Sequence, residues 1–252
     1  PPKRVRIPKM YRSLPVIAIG WKAFESSKIE EITIPNSIER IGAVAFKNCK
    51  SLRRFTIEQS DVTENRLKKI DMGAFEGCSA LTEFVIPDSV RTVGERAFYH
   101  CEKLENISIG SNVSRIGRDA FTETACYNSW NNDNWENNWS DPVFYIGDCL
   151  IKVSAQHYGE FVIKEGTRVI ADSAVYGFSY GFTKIVIPDS VTSIGNHAFY
   201  ACERLASVII PDSVTSIGKS AFYYCNRLTS VTVLSKTVSI HISSDTFPSR
   251  AT

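Results

Sequence analysis

The sequence predicts a repeat solenoid, mainly β with short helical turns, and three observations support this fold class. First, the pattern of residues 205–228 also occurs one step earlier, so that Ile187 and Ile210 are 23 residues apart. Second, each copy holds a short alternating run that is typical of a strand. Third, 252 residues with 43% hydrophobic content can bury one elongated core. A fixed period of this size indicates stacked coils.

Each repeat begins with the strand. The alternating runs are residues 5–7, 32–34, 55–57, 84–86, 107–109, 161–163, 185–187, 208–210 and 231–233. A turn follows, for example Pro211-Asp212-Ser213, because proline fixes φ and Asp or Ser can bond nearby backbone. A glycine then recurs at positions 20, 42, 94, 117, 195 and 218. Such a glycine predicts either a positive φ or a close approach of two backbones.

An Ala-Phe pair and a cysteine complete the repeat. The phenylalanines, at positions 24, 46, 75, 98, 121, 199 and 222, predict an inward column of stacked rings. The cysteines of the repeat are at positions 49, 78, 101, 202 and 225. Their shared position indicates small buried thiols, with disulfides and a metal site as the alternatives. Cys126 and Cys149 lie outside this column, and a disulfide between them is a further alternative.

The period predicts one solenoid over residues 1–252 with one large interruption. We expect N-terminal coils over 1–124, an irregular Trp- and Asn-rich insertion over 125–160, C-terminal coils over 161–240 and a degenerate cap over 241–252. Residues 128–139 fit neither helix nor strand, and residues 144–146 are interpreted as the strand of a degenerate coil.

Composition and motifs argue against several classes of function. Lys plus Arg number 29 and Asp plus Glu number 27, so no global charge favours nucleic acid or anionic membrane. No apolar run is long enough for a transmembrane helix. The four histidines have no spacing of a metal pair, and nucleotide-binding loops are absent. We therefore expect a protein that is not an enzyme and that has no catalytic residues, metal or cofactor.

The pattern Ile-Pro-x-Ser-Val-x-x-Ile-Gly-x-x-Ala-Phe-x-x-Cys-x-x-Leu, as in residues 210–228, resembles the BspA-like, or Treponema pallidum type, leucine-rich repeat. The resemblance covers nearly the whole chain and fails mainly over 125–160. It implies a right-handed solenoid with one parallel β-sheet. It also implies a non-catalytic, adhesin-like module, secreted or at the cell surface, that binds a protein partner, for which a host protein is one candidate. We expect a monomer.

Two candidate binding surfaces follow, each with an alternative. The outward sheet positions form the first and include Val85, Val162, Val186, Ile209 and Thr232, with Arg54, Glu83 and Lys184 beside them. The alternative is that branched residues merely suit strands. The second surface is a glycan site made by Trp130, Trp135 and Trp139. The alternative is that these rings cover a broken coil. For the chain as a whole, a further alternative is a targeting or spacer segment of a larger protein. The tyrosines after the Phe column are interpreted as lateral stacking.

Overall fold

A computed structural model describes residues 3–58, 65–136, 143–154, 159–177, 181–234, 241–242 and 245–247, with the side chains of 132–136 and 241–242 outside the description. The chain forms two compact units. The first consists of Pro1–Val113 with Asp119–Asn132, and the second of Ser114–Arg118 with Asp133–Thr252. Short parallel strands stack coil on coil in each unit, which confirms the solenoid. The predicted division into one solenoid with an insertion and a cap stays a prediction.

Each coil of the first unit has three walls. The long-strand wall contains β1 (Arg4–Arg6), β5 (Glu31–Ile34), β7 (Arg54–Ile57), β9 (Glu83–Ile86) and β11 (Asn106–Ile109). The short-strand wall contains β4 (Ala18–Ile19), β6 (Arg40–Ile41), β8 (Lys69–Ile70) and β10 (Thr92–Val93). The third wall is built from turns and is called the turn wall. An antiparallel hairpin of β2 (Met10–Tyr11) and β3 (Leu14–Pro15) interrupts the first coil.

The second unit repeats this plan. Its long-strand wall is a four-stranded parallel sheet of β15 (Gly159–Val162), β17 (Phe182–Val186), β19 (Ser207–Ile210) and β21 (Ser230–Val233). Its short strands are β12 (Arg115–Ile116), β14 (Cys149–Val153), β16 (Val169–Ile170), β18 (Ser193–Ile194), β20 (Ser216–Ile217) and β22 (His241–Ile242). The predicted strand positions are confirmed in both units.

The aromatic column lies inside the coils, as predicted. In the first unit, ring centroids from Phe24 through Phe46, Phe75 and Phe98 to Phe121 follow at 5.1, 5.1, 5.3 and 5.5 Å, with planes tilted by at most 9°. All but the first of these rings are fully buried. Because neighbouring strands are separated by a similar distance, one ring fits each coil.

The column also continues where the sequence indicated a degenerate cap. In the second unit, Phe199 and Phe222 stack at 5.0 Å, and Phe247 stacks on Phe222 at 5.3 Å. The buried Thr246 stands where other coils have the alanine, and its carbonyl accepts a hydrogen bond from the amide of Phe222 at 2.8 Å. The aromatic column of the second unit therefore includes Phe247.

The recurrent glycine is explained by close approach of backbones, while the alternative of a positive φ is wrong. A Cβ on Gly218 would lie 2.4 Å from the amide nitrogen of Asn196, and one on Gly94 would lie equally close to that of Met72. The positive φ angles occur two residues later instead, with 54° at both Arg96 and Ser220. The turn wall therefore places ordinary residues in a conformation that usually favours glycine.

The expectation that residues 128–139 form neither helix nor strand is wrong for residues 128–136, because α1 covers Ala125–Glu136. Thr124 caps this helix, since its Oγ1 accepts a hydrogen bond from the amide of Tyr127 at 3.3 Å and its carbonyl accepts one from Asn128. Such a cap satisfies amides that lack partners within the helix. Within the described residues, no helix has the length and apolar character needed to cross a membrane.

The interpretation of residues 144–146 as a coil strand is also wrong. They belong to β13 (Val143–Ile146), which pairs antiparallel with β14 through a turn at Gly147, where φ is 60°. In β14, Cys149 pairs with Val169 and Leu150 with Ile170 in parallel register. The strand that joins the stack is therefore β14, on the short-strand wall.

Candidate partner-binding surfaces

The long-strand wall of the second unit presents a row of branched side chains to solvent. Val162 pairs with Val186, and Ile209 pairs with Thr232. Ile185 also pairs with Val208, so the next residues, Val186 and Ile209, are neighbours on adjacent strands. Val162 is 62% exposed and Ile209 is 55% exposed, while Val186 is half-buried. We call these four residues the apolar stripe.

The column beside the stripe is polar and nearly neutral. Glu160 and Lys184 form an exposed ion pair with a 2.9 Å separation of Oε1 and Nζ. Ser207 pairs with Ser230 in the next two strands. A polar border around an apolar centre is the arrangement usual in protein interfaces. Lys184 therefore lies at the border, with its charge already compensated.

The same wall of the first unit is charged. Glu31 lies between two arginines, at 3.2 Å from Arg4 and 3.7 Å from Arg54. Val85 is 71% exposed but pairs with Ser108, and Glu83 pairs with Asn106. Of the predicted contact residues, Arg54, Glu83 and Val85 therefore belong to this polar surface and not to the apolar stripe. Their role in binding stays a prediction.

The structure describes the side chain of only one of the three tryptophans proposed as a glycan site. Trp130 is half-buried on α1, and its ring centroid lies 5.5 Å from that of Tyr127. The side chain of Trp135 and the whole of Trp139 lie outside the described residues. The glycan site stays a prediction.

Tyrosines on the turn wall stack laterally, as the sequence predicted. Tyr176 and Tyr200 are parallel with centroids 4.9 Å apart, and Tyr224 meets Tyr200 edge-on at 5.4 Å. Tyr99 in the first unit packs under the guanidinium of Arg96 at 4.2 Å. These contacts occupy the ring faces, so they account for the position of the tyrosines without a ligand.

An apolar group on the first coil was missed by the sequence analysis. Its members are all about half exposed or more, and they are Met10, Tyr11, Leu14, Ile17 and Trp21. A signal was present, because Trp21 directly follows the recurrent glycine, where later coils have residues such as Glu95 and Lys219. A large apolar side chain there is an exception to the pattern of the repeat.

A polar depression of about 290 Å³ on the first unit is lined in part by Asn48, Glu76 and His100. Glu76 is already engaged by Lys47 at 3.1 Å and Arg96 at 2.9 Å. Across the described part of the chain, no group of three or more His, Cys, Asp or Glu side chains is placed to hold a metal ion. The carboxylate of Glu76 in the depression is therefore already compensated by two cations.

The cysteines of the repeat are buried and donate hydrogen bonds to the preceding coil. Cys49 Sγ lies 2.9 Å from the carbonyl oxygen of Phe24, and Cys225 Sγ lies 3.2 Å from that of Phe199. Burial raises the pKa of the Cys49 thiol to about 11. All the cysteines are free thiols, which agrees with their interpretation as small packing residues.

Cys126 and Cys149 are also free thiols in the structure. Cys149 is buried, with Sγ 3.2 Å from Oδ1 of Asp148, and burial followed by the charge of Asp148 raises its pKa. Cys126 is half-buried, its Sγ lies 3.2 Å from Oγ1 of Thr124, and burial raises its pKa. Each thiol therefore has a polar neighbour of its own.

Alkylation of the folded protein at pH 8 should modify Cys126 first and the repeat cysteines only slowly. With a pKa of about 11, Cys49 is thiolate in only about one molecule in a thousand at that pH. Iodoacetamide labelling followed by non-reducing digestion and mass spectrometry gives the order in which the cysteines react and shows which of them are free thiols. Labelling in denaturant is the control, and a peptide in which Cys126 and Cys149 are linked would contradict the structure.

The sequence model of the BspA type leucine rich repeat region matches six copies over residues 17–149 and 155–249. No protein of curated function matches. Among solved structures, the leucine-rich repeat protein of T. pallidum is similar over 90% of this chain and 78% of its own, at 21% identity and a TM-score of 0.47.

Two further structures are similar in the same way. A leucine rich cell surface protein from Faecalibacterium prausnitzii covers 91% of this chain and 81% of its own, at 22% identity and a TM-score of 0.40. A leucine-rich repeat protein from Bacteroides capillosus covers 42% of this chain and 75% of its own, at 30% identity and a TM-score of 0.36. Because the repeat model extends over most of the sequence, the chain belongs to the BspA-type leucine-rich repeat family.

Proposed function

We propose that this protein is a non-catalytic, adhesin-like binding module, secreted or at the cell surface, that contacts a protein partner through the apolar stripe. The observation that carries the proposal is the exposure of Val162 and Ile209 on a regular sheet, at 62% and 55%. A contiguous apolar patch on a folded surface is a feature of interaction sites. Membership in a leucine-rich repeat family supports the same function.

Covering the stripe would contribute part of the free energy of binding. Complete burial of a valine or isoleucine side chain contributes about 1.5–3 kcal/mol, so covering the exposed half of Val162 or Ile209 contributes about 1 kcal/mol each. Val186 and Ile209 lie on β17 and β19, which are paired through the backbone on both sides. A partner would therefore bind a preorganised surface and lose little conformational entropy from this protein.

The stripe also has the borders that a protein partner requires. The Glu160–Lys184 ion pair lies on one side, and its opposite charges leave the border without net charge. Ser207 and Ser230 continue this polar column on the next two strands. Thus a partner with an apolar centre fits better than a strongly acidic or basic one.

Replacing Val162 or Ile209 by aspartate should weaken partner binding by at least about tenfold, because an unpaired carboxylate would be desolvated in the contact. A partner captured by crosslinking to host or bacterial surface proteins would be purified, and its dissociation constant measured by calorimetry for each variant. Val85→Asp is the matched control, since Val85 is even more exposed, at 71%, on the polar wall of the first unit. Unchanged binding of both stripe variants would rule out this surface.

A further inference from the structure

The short-strand wall of the first unit carries positive charges on adjacent strands. Arg40 on β6 pairs with Lys69 on β8 in parallel register. The residues just before the strands continue the pattern, because the amide of Arg91 donates to the carbonyl of Lys68 at 2.9 Å. All four side chains are exposed. We call Arg40, Lys68, Lys69 and Arg91 the basic cluster.

The basic cluster has little negative charge to offset it. Asp71 lies beneath it with 5% of its side chain exposed, and its carboxylate contacts Nε of Arg40 at 2.5 Å and Nζ of Lys69 at 3.1 Å. The exposed Glu39 is next to Lys68 on the neighbouring coil, since its carbonyl accepts a hydrogen bond from the Lys68 amide at 2.8 Å. Within the described residues, Glu39 forms no ion pair. Four cations against these two carboxylates leave a local charge of +2.

Carboxylates that flank the cluster in sequence are directed elsewhere. Asp88, three residues before Arg91, accepts hydrogen bonds from the amide and the hydroxyl of Ser111 at 2.6 and 2.9 Å. Glu95 follows the recurrent glycine and belongs to the turn wall. Arg91 donates from Nη1 to the carbonyl of Asn112 at 3.4 Å, and this acceptor carries no charge. The excess of positive charge is therefore a property of the short-strand wall itself.

The second unit shows that the fold does not require these charges. Its short-strand wall has Thr192, Ser193, Thr215 and Ser216 at the same positions of the repeat. Oγ1 of Thr192 donates to the carbonyl of Arg168 at 3.2 Å, and Oγ1 of Thr215 donates to that of Thr192 at 3.1 Å. Like charges on opposed residues of neighbouring strands are destabilising. The basic cluster thus costs stability that hydroxyl groups at these positions do not cost.

The donors of the cluster are positioned but only partly used. Asp71 holds Arg40 through Nε, and none of the described residues accepts a hydrogen bond from the two terminal nitrogens of that guanidinium. The ammonium of Lys68 also has no ion-pair partner among them. A guanidinium binds an oxyanion through two parallel hydrogen bonds, and an ammonium binds one as a point charge. The wall therefore presents donors for more than one oxyanion.

The layout of the cluster suits a linear polyanion. Its cations follow one another across neighbouring strands, which are separated by about 4.8 Å. An exposed cation binds a single anion weakly, because water screens the charges. A chain with several anionic groups engages several cations at once, and each further contact forms within the same complex. Such a ligand gains affinity from a surface on which one small anion would bind poorly.

The surroundings of the cluster favour a polysaccharide over other polyanions. The two columns of the wall, residues 39, 68 and 91 and residues 40, 69 and 92, contain no aromatic ring on which a nucleic-acid base could stack. Strands β6 and β8 are paired on both sides, so neither offers a free edge to an acidic peptide. Sulfate groups on a saccharide chain need neither feature, because they bind through charge and hydrogen bonds.

We propose that the basic cluster binds a sulfated polysaccharide. Sulfate groups would accept hydrogen bonds from the terminal nitrogens of Arg40 and from the ammonium of Lys68, with Lys69 and Arg91 on either side. Glu39 opposes this binding, because its carboxylate repels the ligand. The cluster belongs to the first unit and the apolar stripe to the second, so the two proposals stand or fall separately.

Titration of a fluorescent heparin oligosaccharide, followed by anisotropy, tests the proposal. The double variant Lys68→Thr with Arg91→Thr introduces the residues of the second unit and removes two cations. It should bind heparin about tenfold more weakly than the wild type. Added salt should weaken binding of the wild type. A wild type that does not bind heparin, or a double variant with unchanged affinity, would overturn the proposal.

A variant with the opposite effect keeps the test independent of any loss of folding. Glu39→Gln removes the opposing carboxylate and should strengthen heparin binding about twofold. Lys28→Thr with Lys103→Thr is the matched control, because it removes two exposed lysines outside the cluster. Its affinity should change by less than about twofold. A loss in the control equal to that of the cluster variant would show that only net charge matters and would overturn the assigned site.

Comparison of ligands tests the chemical class. Desulfated heparin, poly-L-glutamate and a single-stranded DNA oligonucleotide should each bind the wild type about tenfold more weakly than heparin does. Equal binding of desulfated heparin would overturn the role of the sulfate groups. Equal or tighter binding of polyglutamate or DNA would overturn the polysaccharide as the ligand.

Discussion

Replacing Phe199 or Phe222 by alanine is expected to lower the free energy of unfolding by about 3–5 kcal/mol. Both rings are fully buried, and Phe222 lies between two other rings of the column. Alanine would leave a cavity with rings above and below it. Since each coil contacts only its neighbours, the remaining coils have few ways to close this space.

Chemical denaturation followed by circular dichroism measures this loss. Tyr176→Ala is the matched control, because it removes a ring of similar size that is 50% exposed and stacks on Tyr200 at the surface. The control should cost less than about 1.5 kcal/mol. Equal stability of Phe222→Ala and the wild type would show that the repeat has been placed in the wrong register.

Replacing Gly218 by alanine is expected to cost about 3 kcal/mol, although only one methyl group is added. Its Cβ would lie 2.4 Å from the nitrogen of Asn196 and 2.5 Å from the carbonyl carbon of Gly195. Both atoms belong to the backbone of the preceding coil, so no side-chain rotation relieves the contact. The two coils would have to separate and weaken the hydrogen bond from the Gly218 amide to the Ile194 carbonyl, which is 2.8 Å long.

Gly20→Ala is a stringent control, because Gly20 occupies the same position of the repeat but has no atom within 4 Å of its Cβ site. Its stability should change by less than about 0.5 kcal/mol. Thermal melts of the two variants, recorded side by side at low concentration, provide the comparison. A similar loss in both would mean that the requirement for glycine arises from the local turn and not from the coil beneath it.

The fold was predictable where side-chain pattern determines structure. Alternation placed Phe84 inside and Val85 outside, and the period placed Phe98 in a column, because burial follows directly from both patterns. The helix at Ala125–Glu136 was not predictable in this way, since its polar residues have no apolar face. Its visible signal was the capping threonine, Thr124.

The candidate surfaces were predictable only in part. The alternation of inward and outward side chains along each strand indicated that Val162 and Ile209 point outward, and the structure shows both exposed. The sequence did not show that Glu31 forms an ion pair with Arg54. Such pairs make the long-strand wall of the first unit charged, whereas that of the second unit carries the apolar stripe.

On the turn wall of the first unit, backbone amides of one coil donate to carbonyls of the next, as Phe24 does to Ala45 at 2.7 Å, and this common direction has an electrostatic consequence. Within the first unit, peptide groups that donate in the same direction align their dipoles along the stacking direction, as in a helix. The carbonyls of the first coil that point away from the second coil lie at the negative end of this array. Lys22 lies there with its ammonium 5.0 Å from the ring of Trp21, and Arg12 belongs to the same coil. The charge of Lys22, which also pairs with the Glu25 carboxylate at 3.0 Å, thus complements a field generated by the backbone itself, and added salt would weaken that stabilisation.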